Sequence, residues 1–153
     1  MSKLIQCCCT LLIIMAGRYG FTADLETEFI NSNAAFSQVA SVHSNGVKTI
    51  YVSGQVGIRD GEVPNSFIEQ MDIVFSNMAR QLEAAGASMS DVIKLTGFIV
   101  DMNAERRTVY SEVRARHFSA QSPPPASTLI GVSGLVSPNL LVEVEAIAVI
   151  EID

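Results

Sequence analysis

The sequence predicts one α+β domain, a mixed sheet with two helices packed on one face. Two periodicities and their order carry this prediction. Apolar residues alternate with a period of two in five stretches and recur with a helical period in two more, and the segments run strand, strand, helix, strand, helix, strand, strand. With 153 residues, 48% of them hydrophobic and 17% charged, the chain can bury one substantial core, and its sparse charge suits a surface partly covered by a partner subunit.

Val39 to His43 and Thr49 to Ser53 read as strands joined through Asn45-Gly46, a pair that tolerates the positive φ angles of a tight hairpin. Gly54, Gly57, Asp60 and Gly61 mark a loop. Pro64-Asn65-Ser66 then opens a helix, with Asn65 or Ser66 as N-cap, Glu69 three positions after Ser66, and Phe67, Met71, Val74, Phe75, Met78 and Leu82 on one face; Gly86 ends it. Val92 to Val100 is the next strand, with Ile93, Leu95, Gly97 and Ile99 on one side. A second helix fits Ala104 to about His117, its buried side marked by Val109, Val113 and Phe118. Three prolines at 123–125 exclude helix and sheet interior before a strand over Ser127 to Val132, and Ser137-Pro138-Asn139 turns the chain into its last strand.

That last strand, Leu140 to Ile150, holds the leading site candidates. Leu141, Glu143, Glu145, Ile147 and Val149 project to one side, and Val142, Val144, Ala146 and Ala148 to the other, so both faces read as covered. A carboxylate among apolar neighbours must find hydrogen bonds or shift its pKa, which sets Glu143 and Glu145 apart from the other acidic residues.

Several function classes are disfavoured. A net charge of −6 opposes binding to a polyanion, and the basic run from Arg106 to Arg116 is interleaved with Glu105 and Glu112, as on a solvated helix face. Cys7, Cys8 and Cys9 are adjacent and His43 and His117 are the only histidines, so neither a metal site nor a Ser/His/Asp triad is indicated. The glycine cluster lacks the spacing of a dinucleotide or phosphate loop. Residues 1–20 read as a leader or extension before a domain over 21–153; Lys3 followed by Leu4 to Ala16 resembles a secretory segment without a clean cleavage site and is too short to span a membrane. The location expected is cytoplasmic, or secreted or periplasmic if that segment is a signal peptide.

Phe36-Ser37-Gln38, Ile50 to Gln55, Leu82 to Ala87, Asp91 to Leu95, Asp101-Met102-Asn103, Pro125 to Thr128 and Val142 to Val149 together resemble the RidA/YjgF family, also described as endoribonuclease L-PSP, over about Phe29 to Ile150. The resemblance implies a chorismate-mutase-like fold with a six-stranded sheet, assembled as a homotrimer with a central barrel and ligand clefts between subunits. It also implies hydrolysis of enamines or imines such as 2-aminoacrylate to an oxo acid and ammonia, with no metal or cofactor. Glu143 corresponds to the glutamate of the reactive water. Phe36, Ser37, Gly54, Ser111, Ser127 and Leu129 correspond to ligand-site positions.

Phe36 replaces a tyrosine, and Leu129 stands where a cysteine is common. Ser127 replaces the arginine that clamps the substrate carboxylate. Serine supplies neither the charge nor the fork of a guanidinium, which argues against ordinary 2-aminoacrylate and makes Arg59 and Arg107 candidates to restore the charge. The expected function is therefore a deaminase using Glu143 as general acid/base, with Glu145 structural. The alternatives are a non-catalytic trimer that binds a small molecule, and an endoribonuclease, which the acidic chain and missing histidine pair disfavour.

Overall fold

The computed structural model describes residues 25–118 and 123–152; the leader expected at 1–20 lies outside the described residues. The elements are β1 (Glu26–Ser32), β2 (Ser37–Ser44), β3 (Val47–Val56), α1 (Phe67–Ala84), β4 (Val92–Val100), α2 (Ala104–His117), β5 (Ala126–Val132) and β6 (Val142–Glu151), with a 3-10 turn at Met89–Asp91. One sheet takes the strands in the order β1-β2-β3-β6-β4-β5. β4 and β5 run parallel, with α2 in their crossover, and the other neighbouring pairs are antiparallel.

The local signals act as their chemistry requires. Asn45 and Gly46 adopt φ of 51° and 75°, giving the β2–β3 hairpin a turn whose twist matches the strands. Ser66 caps α1 by accepting from the Glu69 amide, and Asn103 caps α2 by accepting from the Arg106 amide. Past the end of α1, Gly86 takes φ 82° and the Ala87 amide returns to the Leu82 carbonyl.

Both helices cover the same sheet face. Met71, Val74, Phe75, Met78 and Leu82 of α1, with Tyr110 and Val113 of α2, pack on Val39, Ile50, Val52, Leu95, Ile99, Val142, Val144, Ala146 and Ala148. Gln70 is fully buried within this layer. Its side chain donates to the carbonyls of Pro64 and Asn139 at 2.7 and 2.9 Å and accepts from the Leu141 amide at 2.9 Å, fixing the turn before β6 to α1.

The mixed six-stranded sheet with two helices on one face matches the expected architecture, but the barrel does not. The sheet is open: β1 and β5 are its two edges, with four strands between them, and among the described residues no pairing joins them. Three further expectations are corrected. β1, absent from the periodicity reading, pairs along β2 as an edge strand whose residues are mostly exposed. Ile93 faces solvent because the β4–β6 register slips between Val92 and Lys94, which turns Val92 inward instead. Only one face of β6 is covered within the protomer. Glu143, Ile147 and Val149 are half-buried and Glu145 is exposed, because both helices lie on the opposite side.

Candidate active site

The end of β3 positions the site. Val39 pairs with Val52, so β2, which begins at Ser37, leaves the last residues of β3 without a neighbour on that side. A cleft of about 530 Å³ forms there, bounded by Phe36, Gln38, Gly54, Arg80, Val136 and Glu143. On the other side of β3 the ladder to β6 is irregular. Val52 opposes Ala146 and Gln55 opposes Val144, so Ser53 and Gly54 together face the single residue Glu145. Such a bulge kinks a strand and re-aims its neighbours' side chains.

The consequence is a carboxylate laid on bare backbone. A Cβ built on Gly54 would fall 1.8 Å from Glu143 Oε1 and 2.7 Å from its Cδ. Gly54 has no positive φ to demand glycine, so close approach of the Glu143 side chain is what excludes larger residues. Partial burial pushes the Glu143 carboxyl above its ordinary value of 4.5, and the neighbouring Glu145 charge pushes in the same direction.

The remaining expected site residues divide among several places. Phe36 and Gly54 share the cleft with Glu143. The Phe36 segment is held by Asn33, whose side-chain oxygen accepts from the amides of Ala35 and Phe36 at 2.7 and 3.0 Å. Ser37 lies beside it, shares a 2.8 Å hydroxyl hydrogen bond with Ser32, and lines a separate hollow of about 290 Å³ with Tyr51 and Glu145.

Ser127 and Leu129 pair with Leu95 and Gly97 and therefore stand on the helix-covered side of β5, while Glu143 pairs with Phe98 on the opposite side. Leu129 packs on the core and against Gly97 beside the Tyr110 ring. The Tyr110 hydroxyl is buried with no well-aligned hydrogen-bond partner among the described residues. Burial pushes its pKa up, and the nearby Ser127 hydroxyl offsets part of that rise. Ser111 is exposed on α2 and donates to the Arg107 carbonyl. Neither candidate replacement cation reaches the Glu143 cleft. Arg59 lines another hollow with Asp60, Glu62, Glu69 and Asp72, and Arg107 is exposed on α2.

Periodicity missed three polar residues here. Gln55 is buried and donates to Gln38 Oε1 at 2.8 Å and to the Ser53 carbonyl at 2.9 Å, bracing the bulge. Asn77, also buried, donates to the carbonyls of Val56 and Ile58 at 3.1 Å each. Arg80 donates to Asn77 Oδ1 at 2.5 Å. An asparagine between Phe75 and Met78 interrupts the apolar face of α1, and a buried polar group needs partners, so this signal was legible in the sequence.

An open mixed sheet carrying two helices on one face, with a glutamate laid over a strand glycine beside a cleft, defines a class of small α+β protein. Comparison with known proteins identifies the class: residues 12–150 match the family described as Endoribonuclease L-PSP, and the chain belongs to this family, the RidA/YjgF family. It is 40% identical over 106 residues to a 2-iminobutanoate/2-iminopropanoate deaminase from Dermatophagoides farinae, covering 67% of this chain and 79% of the relative. A protein of the same description from Mus musculus is 33% identical over 105 residues, covering 67% and 74% of the two chains. Among solved structures, RidA from a Psychrobacter species superposes with a TM-score of 0.65 at 30% identity, covering 78% of this chain and 91% of that one.

Proposed function

We propose that this chain is a cofactor-independent hydrolase that converts an imine or its enamine tautomer to a carbonyl compound and ammonia, with Glu143 as general acid/base. The observation that carries the reading is the Glu143 carboxylate, held over Gly54 at the cleft with its pKa raised. The two deaminase relatives supply the substrate class.

In the proposed reaction water adds to the carbon of the protonated imine while Glu143 accepts one water proton, giving a neutral carbinolamine. Glu143 returns that proton to nitrogen, and as the C–N bond breaks to release ammonia it takes the remaining hydroxyl proton, so a neutral carbonyl compound leaves. That second proton passes from Glu143 to ammonia or to water, which regenerates the carboxylate and requires no reactant besides water. A carboxyl whose pKa lies above its ordinary value exchanges that proton more readily near neutral pH. Ribonuclease chemistry gains nothing from this cleft, which among the described residues is lined by no histidine.

We further propose a homotrimer with ligand clefts between subunits. Tyr51 and Ile130 are exposed, and Ile147 half-buried, on the sheet face that the helices leave uncovered, an apolar surface suited to a second copy of this chain. Ser127 and Leu129 stand on the opposite side of the sheet from Glu143, so they can share a cleft with it only if they come from another subunit. The test is ammonia release from imines generated in place by an amino-acid oxidase. Acceleration above spontaneous hydrolysis by the wild type, lost in Glu143→Gln, is expected. No acceleration across acidic and neutral imines would leave only the reading of a trimer that binds its ligand without turning it over.

A further inference from the structure

One cation in the cleft has no task in the hydrolysis scheme. Arg80 is exposed on α1, lines the same cleft as Glu143, and among the described residues makes no ion pair. The arginines of α2 and the 59–62 turn are occupied or placed elsewhere. Arg116 pairs with Asp72 at 3.1 Å. Arg106 donates to the Val100 carbonyl and lies over the Phe67 ring. Arg59 sits among acidic residues.

Arg80 is also held in place. One guanidinium nitrogen donates to Asn77 Oδ1, and Asn77 is buried with its own amide donating to the carbonyls of Val56 and Ile58. The fork is thus fixed at one corner through an amide that cannot rotate without losing two backbone hydrogen bonds. Its remaining N–H groups stay available, and a guanidinium remains charged at any working pH.

The neighbouring amides support the same polarity. Gln38 spends its oxygen on Gln55 Nε2, and Gln81 spends its oxygen on Asn31 Nδ2, both at 2.8 Å, which leaves the amino ends of Gln38 and Gln81 as further donors lining this wall.

We propose that Arg80 binds the substrate carboxylate in this cleft, taking from α1 the role that Ser127 cannot fill from β5. The substrate is then an anionic imino acid, its carboxylate on the Arg80 fork and its imine carbon turned toward Glu143. This rests on the reading of the Glu143 cleft as the site of imine hydrolysis. It restores carboxylate recognition from a different element, so the accepted acids differ in shape from those that suit an arginine at position 127.

The test separates the two claims. kcat/KM is measured for wild type, Arg80→Ala and Arg80→Lys on 2-iminobutanoate and on the uncharged imine of 2-butanone. Binding of 2-oxobutanoate, a stable carboxylate with no imine, is measured by calorimetry for the same proteins and for Glu143→Gln. Loss of a bidentate charged contact should lower kcat/KM on 2-iminobutanoate by about 30-fold in Arg80→Ala, chiefly through KM. That loss should exceed any loss on the neutral imine by about tenfold. Arg80→Lys, which keeps the charge without the fork, should fall between the two proteins. Binding of 2-oxobutanoate should weaken at least tenfold in Arg80→Ala and persist in Glu143→Gln.

Equal losses on charged and neutral imines, or unchanged 2-oxobutanoate affinity in Arg80→Ala, would overturn the role of Arg80 and leave the hydrolase reading in place. Arg80-dependent 2-oxobutanoate binding without turnover of any imine would instead support Arg80 and remove the hydrolase.

Discussion

Replacing Gly54 by alanine adds one methyl group at the point where strand and carboxylate meet. The new Cβ would stand 1.8 Å from Glu143 Oε1 and 2.9 Å from its Cγ. A carbon and an oxygen settle at about 3.3 Å, so the carboxylate must retreat by about 1.5 Å. The retreat is cheap in stability. Glu143 is flexible and borders open cleft, an off-rotamer side chain costs about 1 kcal/mol, and alanine in a backbone conformation it tolerates recovers about 0.4–1 kcal/mol from the unfolded chain.

The same retreat is expensive in rate, since a displacement of about 1 Å in a reacting group can cost about 100-fold. Gly54→Ala should therefore melt within about 2 °C of wild type while losing about two orders of magnitude in kcat/KM, read from ammonia release and a calorimetric scan. Gly57→Ala is the contrast. Its Cβ would lie 2.5 Å from Gln70 Cβ and 2.9 Å from Gln70 Cα, in the body of α1, so backbone must move and about 1–3 kcal/mol should be lost. A Gly54→Ala protein that keeps its activity within threefold would refute the placement of the reacting carboxylate over this glycine.

Glu143→Gln should lower kcat by about 10² to 10⁴. Because the folded pKa of Glu143 lies above 4.5, the folded state holds a proton that the unfolded chain has released between those two values, and stability drops as pH rises through that window. The variant escapes the penalty, so it should melt higher than wild type at pH 8 and lose this advantage below pH 4.5; a lower melting temperature at pH 8 would contradict the assigned shift. Gln70→Ala leaves three backbone groups without their partner and should cost at least about 3 kcal/mol, seen as a fall of about 10 °C in Tm. Sedimentation should give about three times the 16.5 kDa chain mass, and Tyr51→Glu, which puts a charge on the uncovered face, should shift the protein toward the monomer. A chain beginning at Phe21 should keep a cooperative melt if residues 1–20 are a leader; loss of that melt would move the domain boundary.

The features legible in the sequence were those fixed by short-range chemistry. Asn45-Gly46, the Ser66 cap, Gly86 and the apolar stripe of α1 each determine a few dihedral angles or one helix face, and they act where expected. β1 escaped because an edge strand with one neighbour and little burial carries no alternation to read. Ile93 parts from Leu95, Gly97 and Ile99, with which alternation groups it, because a register slip changes the parity of a strand without leaving a mark in its composition. In the cleft, Glu143, Gly54 and Phe36 were accessible through the family resemblance. Arg80 was not, because its importance comes from Asn77 and the end of β3, which approach it only once α1 packs on the sheet.

The relation of Ser127 to Glu143 is a question of faces, which no linear motif carries. Leu95 joins the two edges of the problem: it pairs with Ser127 on one side and with Ala146 on the other, and its side chain is in the core. Cross-strand partners share a face, so Ser127 belongs to the helix side, whereas Glu143, paired with Phe98, belongs to the other. Within one subunit the sheet lies between them. Any shared chemistry must therefore depend on assembly, while chemistry that uses Glu143 and Arg80 need not, because both residues line one cleft of one chain. The two cases separate when Tyr51→Glu is assayed. Activity per subunit that persists in a dissociated Tyr51→Glu protein would place the reaction within one protomer and leave Ser127 and Leu129 outside it. Activity that falls in step with the loss of the trimer would require the neighbour's β5, and Ser127→Ala should then alter KM in the assembled wild-type background.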